Sequence, residues 1–305
     1  MSGHHHHHGH RHGQNQRILT YSLLITATYM LVEIIGGLWA NSLALLSDAG
    51  HMFSDLLALG LSLLAFHWSA RAAHGHKSYG YGRGEILAAA FNGLTLLAIA
   101  LLVAVEGLRR LLKPAVVQSQ TMLLIAAIGL LVNLAVAGLM WAGDRENLNM
   151  RSALLHVLGD LLGSLGAVAA GLLMWFYGCY WADPLISLLV AGLLAWGGWQ
   201  LSRDSLHILM EGQPAHISLA EIRRAARTIA GIRDIHHLHC WSLSSDYHLF
   251  SCHLLLEPQL SLEEGQQRLR QLEELVHRQG ISHCTIQMER SCDRVDCHCQ
   301  LNAES

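Results

Sequence analysis

Six apolar stretches, each about twenty residues long, fill the first two thirds of the chain, and each can cross a hydrocarbon core as a helix rising about 1.5 Å per residue. They run over residues 18–39, 42–68, 86–108, 122–141, 153–177 and 184–206. Inside a bilayer every backbone N–H and C=O must find its partner within the protein, so stretches of this length are read as helices. The 305 residues are 52% hydrophobic and only 14% charged, and the apolar ones gather in these stretches. From about residue 213 the polarity becomes that of a soluble domain. The fold class is therefore a polytopic α-helical membrane protein with six transmembrane helices and a C-terminal cytosolic α+β domain. The chain divides into a His-rich arm (1–16), the six-helix domain (17–212), the α+β domain (213–290) and a Cys/His-rich tail (291–305).

Six crossings leave both termini on one side. Arg11 and Arg17, then Arg71, Lys77 and Arg83, then Arg145 and Arg151 mark that side as cytosolic, against one opposite connection carrying Arg109, Arg110 and Lys113. No cleavable leader is evident, since the first apolar stretch is long enough to span and stay. The net charge of −3 argues against a nucleic-acid partner. Cys179 lies at a membrane edge and the other six cysteines lie in the tail, where a cytosolic location makes them reduced thiols or metal ligands.

The soluble portion has its own order. "SLAEIRRAARTIA" (218–230) begins with Ser and places Glu three residues later, the start signal of a helix. "IHHLHCWSL" and "DYHLFSCHLLLE" read as strands joined at "SSD". "SLEEGQQRLRQLEELVHRQG" is a second helix with a Gly stop, and "HCTIQMER" a third strand. Helix, strand, strand, helix, strand (αββαβ) is a small α+β sheet with helices on one face, and at about 75 residues it is small enough to lean on oligomerisation.

The chemistry sits inside the apolar stretches. His51 and Asp55 are four apart on the second, and His156 and Asp160 are four apart on the fifth. On a helix that spacing puts each pair on one face. Both pairs are expected inside their spans, toward the middle of a core about 30 Å thick. An aspartate there costs roughly 2.5–3.5 kcal/mol on insertion scales, so two need a compensating cation. Two imidazoles and two carboxylates form a tetrahedral shell suited to Zn2+, whereas magnesium and calcium prefer all-oxygen shells. Four protein ligands leave no open position for a catalytic water, which argues against an enzyme. The ligands must shed protons to bind metal, so Zn2+ and protons can exchange at one site. The bland alternative is a pair of interhelical polar clamps, which two matching pairs at matched depth make the weaker reading. Asp48 shares the face of His51 and is read as a supporting residue rather than a ligand.

These residues resemble the cation diffusion facilitators, zinc/proton antiporters. "SLALLSDAGHMFSD" resembles that family's second-helix signature, "YGYGRGE" the opening of its third helix and "ALLHVLGDLLGS" its fifth-helix signature, while "HHLHCW" and "HCTIQME" resemble its cytosolic metal-binding domain. The resemblance implies a ferredoxin-like cytosolic domain, a homodimer, zinc loading from the cytosol and release outside against entering protons. His rather than Asp at position 51 implies the zinc-preferring branch. It also implies cytosolic ligands at His236 and His253, with His237 a further candidate and Glu289 the acidic partner. Gln266 and Gln287 stand where members carry His, so a reduced site is expected. His74 and His76 are candidates in the loop after the second helix.

The run "HHHHHGHRH" (4–12) is read as a native arm that gathers zinc, with a purification tag as the alternative. Cys292, Cys297 and Cys299, with His298, offer soft ligands for a scavenging or handover role, or form an unstructured tail. The functional expectation is a zinc efflux transporter of a bacterial inner membrane. A membrane zinc sensor, or transport of cadmium, cobalt or nickel, is the alternative.

Overall fold

The computed structural model describes residues 8–69, 77–141 and 148–291, with side chains described over 21–61, 77–139, at Trp141 and over 157–291. Six long helices come first: α1 (His8–Ala40), α2 (Leu43–Ser69), α3 (Gly84–Leu112), α4 (Ser119–Trp141), α5 (Leu148–Tyr177) and α6 (Ala182–Leu209). Among the described residues, five of them (α1, α3, α4, α5 and α6) are long and apolar enough to cross a membrane. The 27 residues of α2 give it a similar length, but Asp48, His51 and Asp55 lower its hydropathy. With α2 counted, the chain is a six-helix membrane protein followed by α7 (Leu219–Ala226), β1 (Ile232–Ser244), β2 (Tyr247–Leu256), α8 (Leu262–Arg278) and β3 (His283–Glu289).

The chain forms two compact units, one drawn from Met1–Ser62 and Phe91–Ser202, the other from Leu63–Ala90 and Arg203–Ser305. In the first, α4 packs against both α1 and α5. Buried Ala40, Leu45, Met122, Ala126, Ala170 and Met174 form one of its cores. Leu101, Leu131, Leu162 and Trp196 are exposed, as side chains facing lipid must be. Small residues set the α3–α6 contact: a Cβ on Gly198 would lie 2.9 Å from the Gly93 carbonyl oxygen, so the two backbones touch where glycines meet.

A charged residue organises one end of this unit. Asp183, fully buried in the first turn of α6, accepts hydrogen bonds from Ser42 Oγ (2.5 Å), Leu43 N (2.9 Å) and Ala44 N (3.1 Å). It thereby caps the N-terminus of a different helix, α2, where unpaired N–H groups and the positive end of the helix dipole attract an anion. Arg110 Nη1 approaches the same carboxylate (4.0 Å) and donates to Asn41 O (2.6 Å), while Arg110 Nε donates to Glu106 (3.0 Å). Because α3 continues to Leu112, Arg109 and Arg110 lie in its last turn rather than in a loop, and Arg110 is occupied by these contacts.

In the second unit β1 pairs antiparallel with β2, and β3 lies parallel to β2 after the α8 crossover, giving the strand order β1-β2-β3. Ile222, Ile235, Phe250, Leu254, Leu272 and Val276 close the core between sheet and helices. Ser261 and Glu264 form a reciprocal capping box at the start of α8. The first helix is shorter than the sequence pattern predicts and stops at Ala226. Thr228 N and Ile229 N bond three residues back in tightened turns that lead to Gly231 at φ 92°. In the same unit Arg83 pairs with Glu211 (3.0 Å), and Ser245 at the β1–β2 turn donates to Glu85 (2.9 Å).

Asp234 ties α7 to β1 through paired hydrogen bonds from Arg223 (3.1 and 2.8 Å) and Arg227 (2.8 and 2.9 Å). Burial alone would raise its carboxyl, but the two guanidinium groups hold it well below the usual carboxylate range. A depressed carboxyl adds stability that is present above its unfolded value, about 3.9, and is lost as pH falls toward the folded one. Asp234→Asn is therefore expected to destabilise this unit by about 1 kcal/mol at neutral pH. Hydrogen exchange over residues 217–281 of the full chain should show faster exchange in the variant, with the difference vanishing in acid.

Candidate metal centres

His51 lies one turn before Asp55 on α2, and the helix brings its Nδ1 to 3.7 Å from Asp55 Oδ2. Its Nε2 lies 3.6 Å from Asp160 Oδ1 on α5, so this ring stands between carboxylates from two helices. Four donors around a zinc ion with bonds of about 2.0–2.1 Å would lie about 3.3–3.4 Å apart, close to these separations. The two carboxylates face different ring nitrogens, and one imidazole cannot chelate one ion through both. Gathering both carboxylates on a single ion therefore requires Asp55 to swing from Nδ1, or the ring to turn. The backbone of His156 belongs to α5, four residues before Asp160; its side chain lies outside the described residues.

Polar side chains that the apolar stretches would not ordinarily hold surround this centre. Asp48 is buried, with Oδ1 against Gly163 of α5, where a Cβ would sit 3.7 Å away. Glu33 of α1, 1% exposed, lies beside Asp48 and takes a hydrogen bond from the Tyr29 hydroxyl (2.7 Å). That hydroxyl also contacts the Ile125 carbonyl of α4 (3.0 Å) and reaches it because residue 129 is glycine; a Cβ there would collide with Tyr29. Ser54 donates to Asn92 (3.0 Å), and Asn133 donates to Ser164 (2.9 Å), one turn beyond Asp160. Asp183 and Tyr29 are the residues that sequence reasoning missed. Asp183 precedes Pro184 at a helix start, which reads as a local cap, and a tyrosine in an apolar run gives no signal.

The second cluster spans three strands. His236 Nε2 lies 3.2 Å from Glu289 Oε2, and His253 Nδ1 lies 2.6 Å from Glu289 Oε1. His236 pairs in register with His253, and His253 with Gln287, two residues before Glu289. Donor atoms of His236, His253 and Glu289 lie within 4.8 Å of one another, and this is the one such group among the described residues. A bulge shapes it: the β1–β2 register shifts between His236 and His239, and His237 takes φ 51°. His237 then stacks on His253, ring centroids 4.9 Å apart. Neither ring nitrogen of His236 is exposed, and neither makes a hydrogen bond of good geometry. Such a ring is costly to bury unless something else satisfies it. Burial lowers the His236 value below that of an ordinary imidazole, with Glu289 acting in the opposite sense. Gln287 donates to Glu289 Oε1 (3.0 Å), and Gln266 is exposed on α8. His74, His76, Cys292, Cys297 and Cys299 lie outside the described residues.

A six-helix membrane domain with His and Asp side chains meeting between α2 and α5, joined to a small αββαβ domain with a cation-sized cluster, defines the class: a membrane metal-transport protein. Residues 19–210 match the cation efflux transmembrane domain, and residues 214–291 match the cytoplasmic domain of cation efflux proteins. The chain is 44% identical over 286 residues to the "Cadmium, cobalt and zinc/H(+)-K(+) antiporter" of Bacillus subtilis (strain 168), covering 93% of this chain and 92% of that protein. It is 40% identical over 288 residues to zinc transporter ZitB of Escherichia coli (strain K12), covering 93% and 91%. It is 36% identical over 293 residues to the metal cation efflux system protein CzcD of Cupriavidus metallidurans (strain CH34), covering 95% and 92%. The chain belongs to the cation efflux family; it is a multi-pass membrane transport protein rather than an enzyme.

The Tyr29 hydroxyl has one hydrogen, which Glu33 Oε1 accepts at 2.7 Å, the shorter of its two contacts. Tyr29→Phe removes that donor from a buried carboxyl group and is expected to lower stability by about 1–3 kcal/mol. Thermal unfolding of the purified protein in detergent checks this.

Proposed function

We propose that the chain exports Zn2+ from the cytosol in exchange for protons, at a site formed by His51, Asp55, His156 and Asp160. The observation that carries this reading is the His51 ring set between Asp55 and Asp160 on two membrane helices. Two aspartates neutralise a divalent ion, and imidazole nitrogens select a borderline-soft one. When the ion leaves, a proton on His51 gives Asp55 and Asp160 a cationic partner; when an ion arrives, that proton must depart. Loading by one cargo thus expels the other, which makes the exchange obligatory without a separate proton path. Asp48, packed on Gly163 beside Glu33, supports the position of the site rather than ligating.

The printed name of the Bacillus subtilis relative extends the substrate range to cadmium and cobalt, which the same donor set accommodates. The match to the family's cytoplasmic domain supports a homodimer joined through residues 213–290. In this reading His236, His253 and Glu289 hold a regulatory ion, His74 and His76 assist loading, and the tail cysteines gather metal. The protein occupies a bacterial inner membrane with both termini cytosolic.

Reconstitution into liposomes containing a zinc-sensitive dye, with an imposed pH gradient, tests the proposal. Wild-type flux should follow the proton gradient and collapse by at least about a hundredfold in Asp55→Ala and in Asp160→Ala. Flux indifferent to the gradient would remove the exchange mechanism, and undiminished flux in both variants would remove the site.

A further inference from the structure

We propose that His216 and His248 form a labile site for Zn2+ and similar borderline-soft divalent ions, which clasps the segment between α6 and α7 onto strand β2. The pair shares no residue with the His236–His253–Glu289 cluster or with the centre between α2 and α5. His216 lies in the turn before α7, between buried Pro214 and buried Ile217. Ile217 N donates to Pro214 O (3.1 Å) and closes that turn. His248 stands at the start of β2, in phase with Phe250, Cys252 and Leu254, whose side chains enter the core beneath the helices. It is 7% exposed, just beyond the last apolar member of that core on its strand.

The two rings meet in a way that suits a shared ion. Their centroids lie 4.9 Å apart, with the ring planes at 59°. Two imidazoles bound to one tetrahedral zinc at about 2.0–2.1 Å would have centroids about 5 Å apart. Among the described residues no hydrogen bond joins these rings or holds that of His216, which is exposed. His237 and His253 show the contrast: with their planes at 19° they are stacked face to face.

His248 is held as a ligand would be. Its Nδ1 lies 2.9 Å from the Oγ of Ser242, its partner across the β1–β2 ladder. A hydroxyl can accept the Nδ1 proton, which leaves the Nε2 lone pair for a metal ion. A hydrogen bond at the far nitrogen is how proteins fix the tautomer and orientation of a ligating imidazole. Burial holds His248 below the ordinary imidazole value; His216 acts in the same sense, and Asp246 of the β1–β2 turn opposes them. A ligating histidine must be neutral, so the ring is ready to bind at neutral pH. Imidazole donors favour Zn2+ or Co2+ over Mg2+. Two protein donors leave the rest of the shell to water, so the ion comes and goes rather than being built in.

Hydrogen exchange of the purified full-length protein in detergent, with and without added Zn2+, tests this. Zn2+ at ten times its dissociation constant should slow exchange over residues 215–219 by about tenfold, because that segment can open only when the ion is off. His216→Ala removes an exposed ring, so its exchange without metal should match the wild type, and the slowing by Zn2+ should vanish. His253→Ala, which breaks the three-strand cluster, should keep the slowing, and Mg2+ should produce none. No slowing in the wild type, or slowing retained in His216→Ala, overturns the site. Slowing lost in His253→Ala shows protection spreading from the cluster and overturns it as well. Equal slowing by Mg2+ marks a general ionic effect and does the same.

Discussion

A carboxylate inside an apolar bundle must be given a partner, and the kind of partner distinguishes the acids of this protein. Asp183 is held by backbone N–H groups and a serine hydroxyl, donors that cannot leave. Its charge is compensated permanently, as befits a fastening. Glu33 is matched to a phenol, a weaker and neutral donor. Asp55 and Asp160 face an imidazole, a group whose charge is ordinarily in play near neutral pH. The chemistry of each partner thus separates acids fastened by fixed donors from the acids that the proposed exchange would use.

The cytosolic cluster obeys a different constraint. A regular strand alternates its side chains between two faces, so consecutive histidines would point apart. The bulge at His237 breaks that alternation, leaving His236 opposite His253 while His237 stacks on the same ring. The same device leaves both ring nitrogens of His236 buried without a hydrogen bond of good geometry among the described residues.

Much of this was legible in the residues. Helix positions follow from apolar length, and the His51–Asp55 and His156–Asp160 spacings from the helical period, because both are local properties. The αββαβ order was likewise written in turn and cap signals such as Ser261 and Glu264. What could not be read is what depends on distant partners. Asp183 looks like a cap for its own helix and serves another. Arg110 looks like a loop charge bearing on topology and is engaged by Glu106 and Asn41. The premature end of α7, and the bulge that brings three strands' donors together, arise from tertiary contacts that no window of sequence contains.

The Asp183 cap has a geometric consequence. It fixes the first residues of α2 against the start of α6, and a helix is a stiff rod. His51 lies nine residues beyond Ser42, about 14 Å along that rod. The depth and the compass bearing of His51 and Asp55 are therefore measured from α6, as a ruler is read from its zero mark. A single residue inserted between Ala44 and His51 would turn the imidazole through about 100° and leave every polar group of α2 intact but aimed at the wrong neighbour.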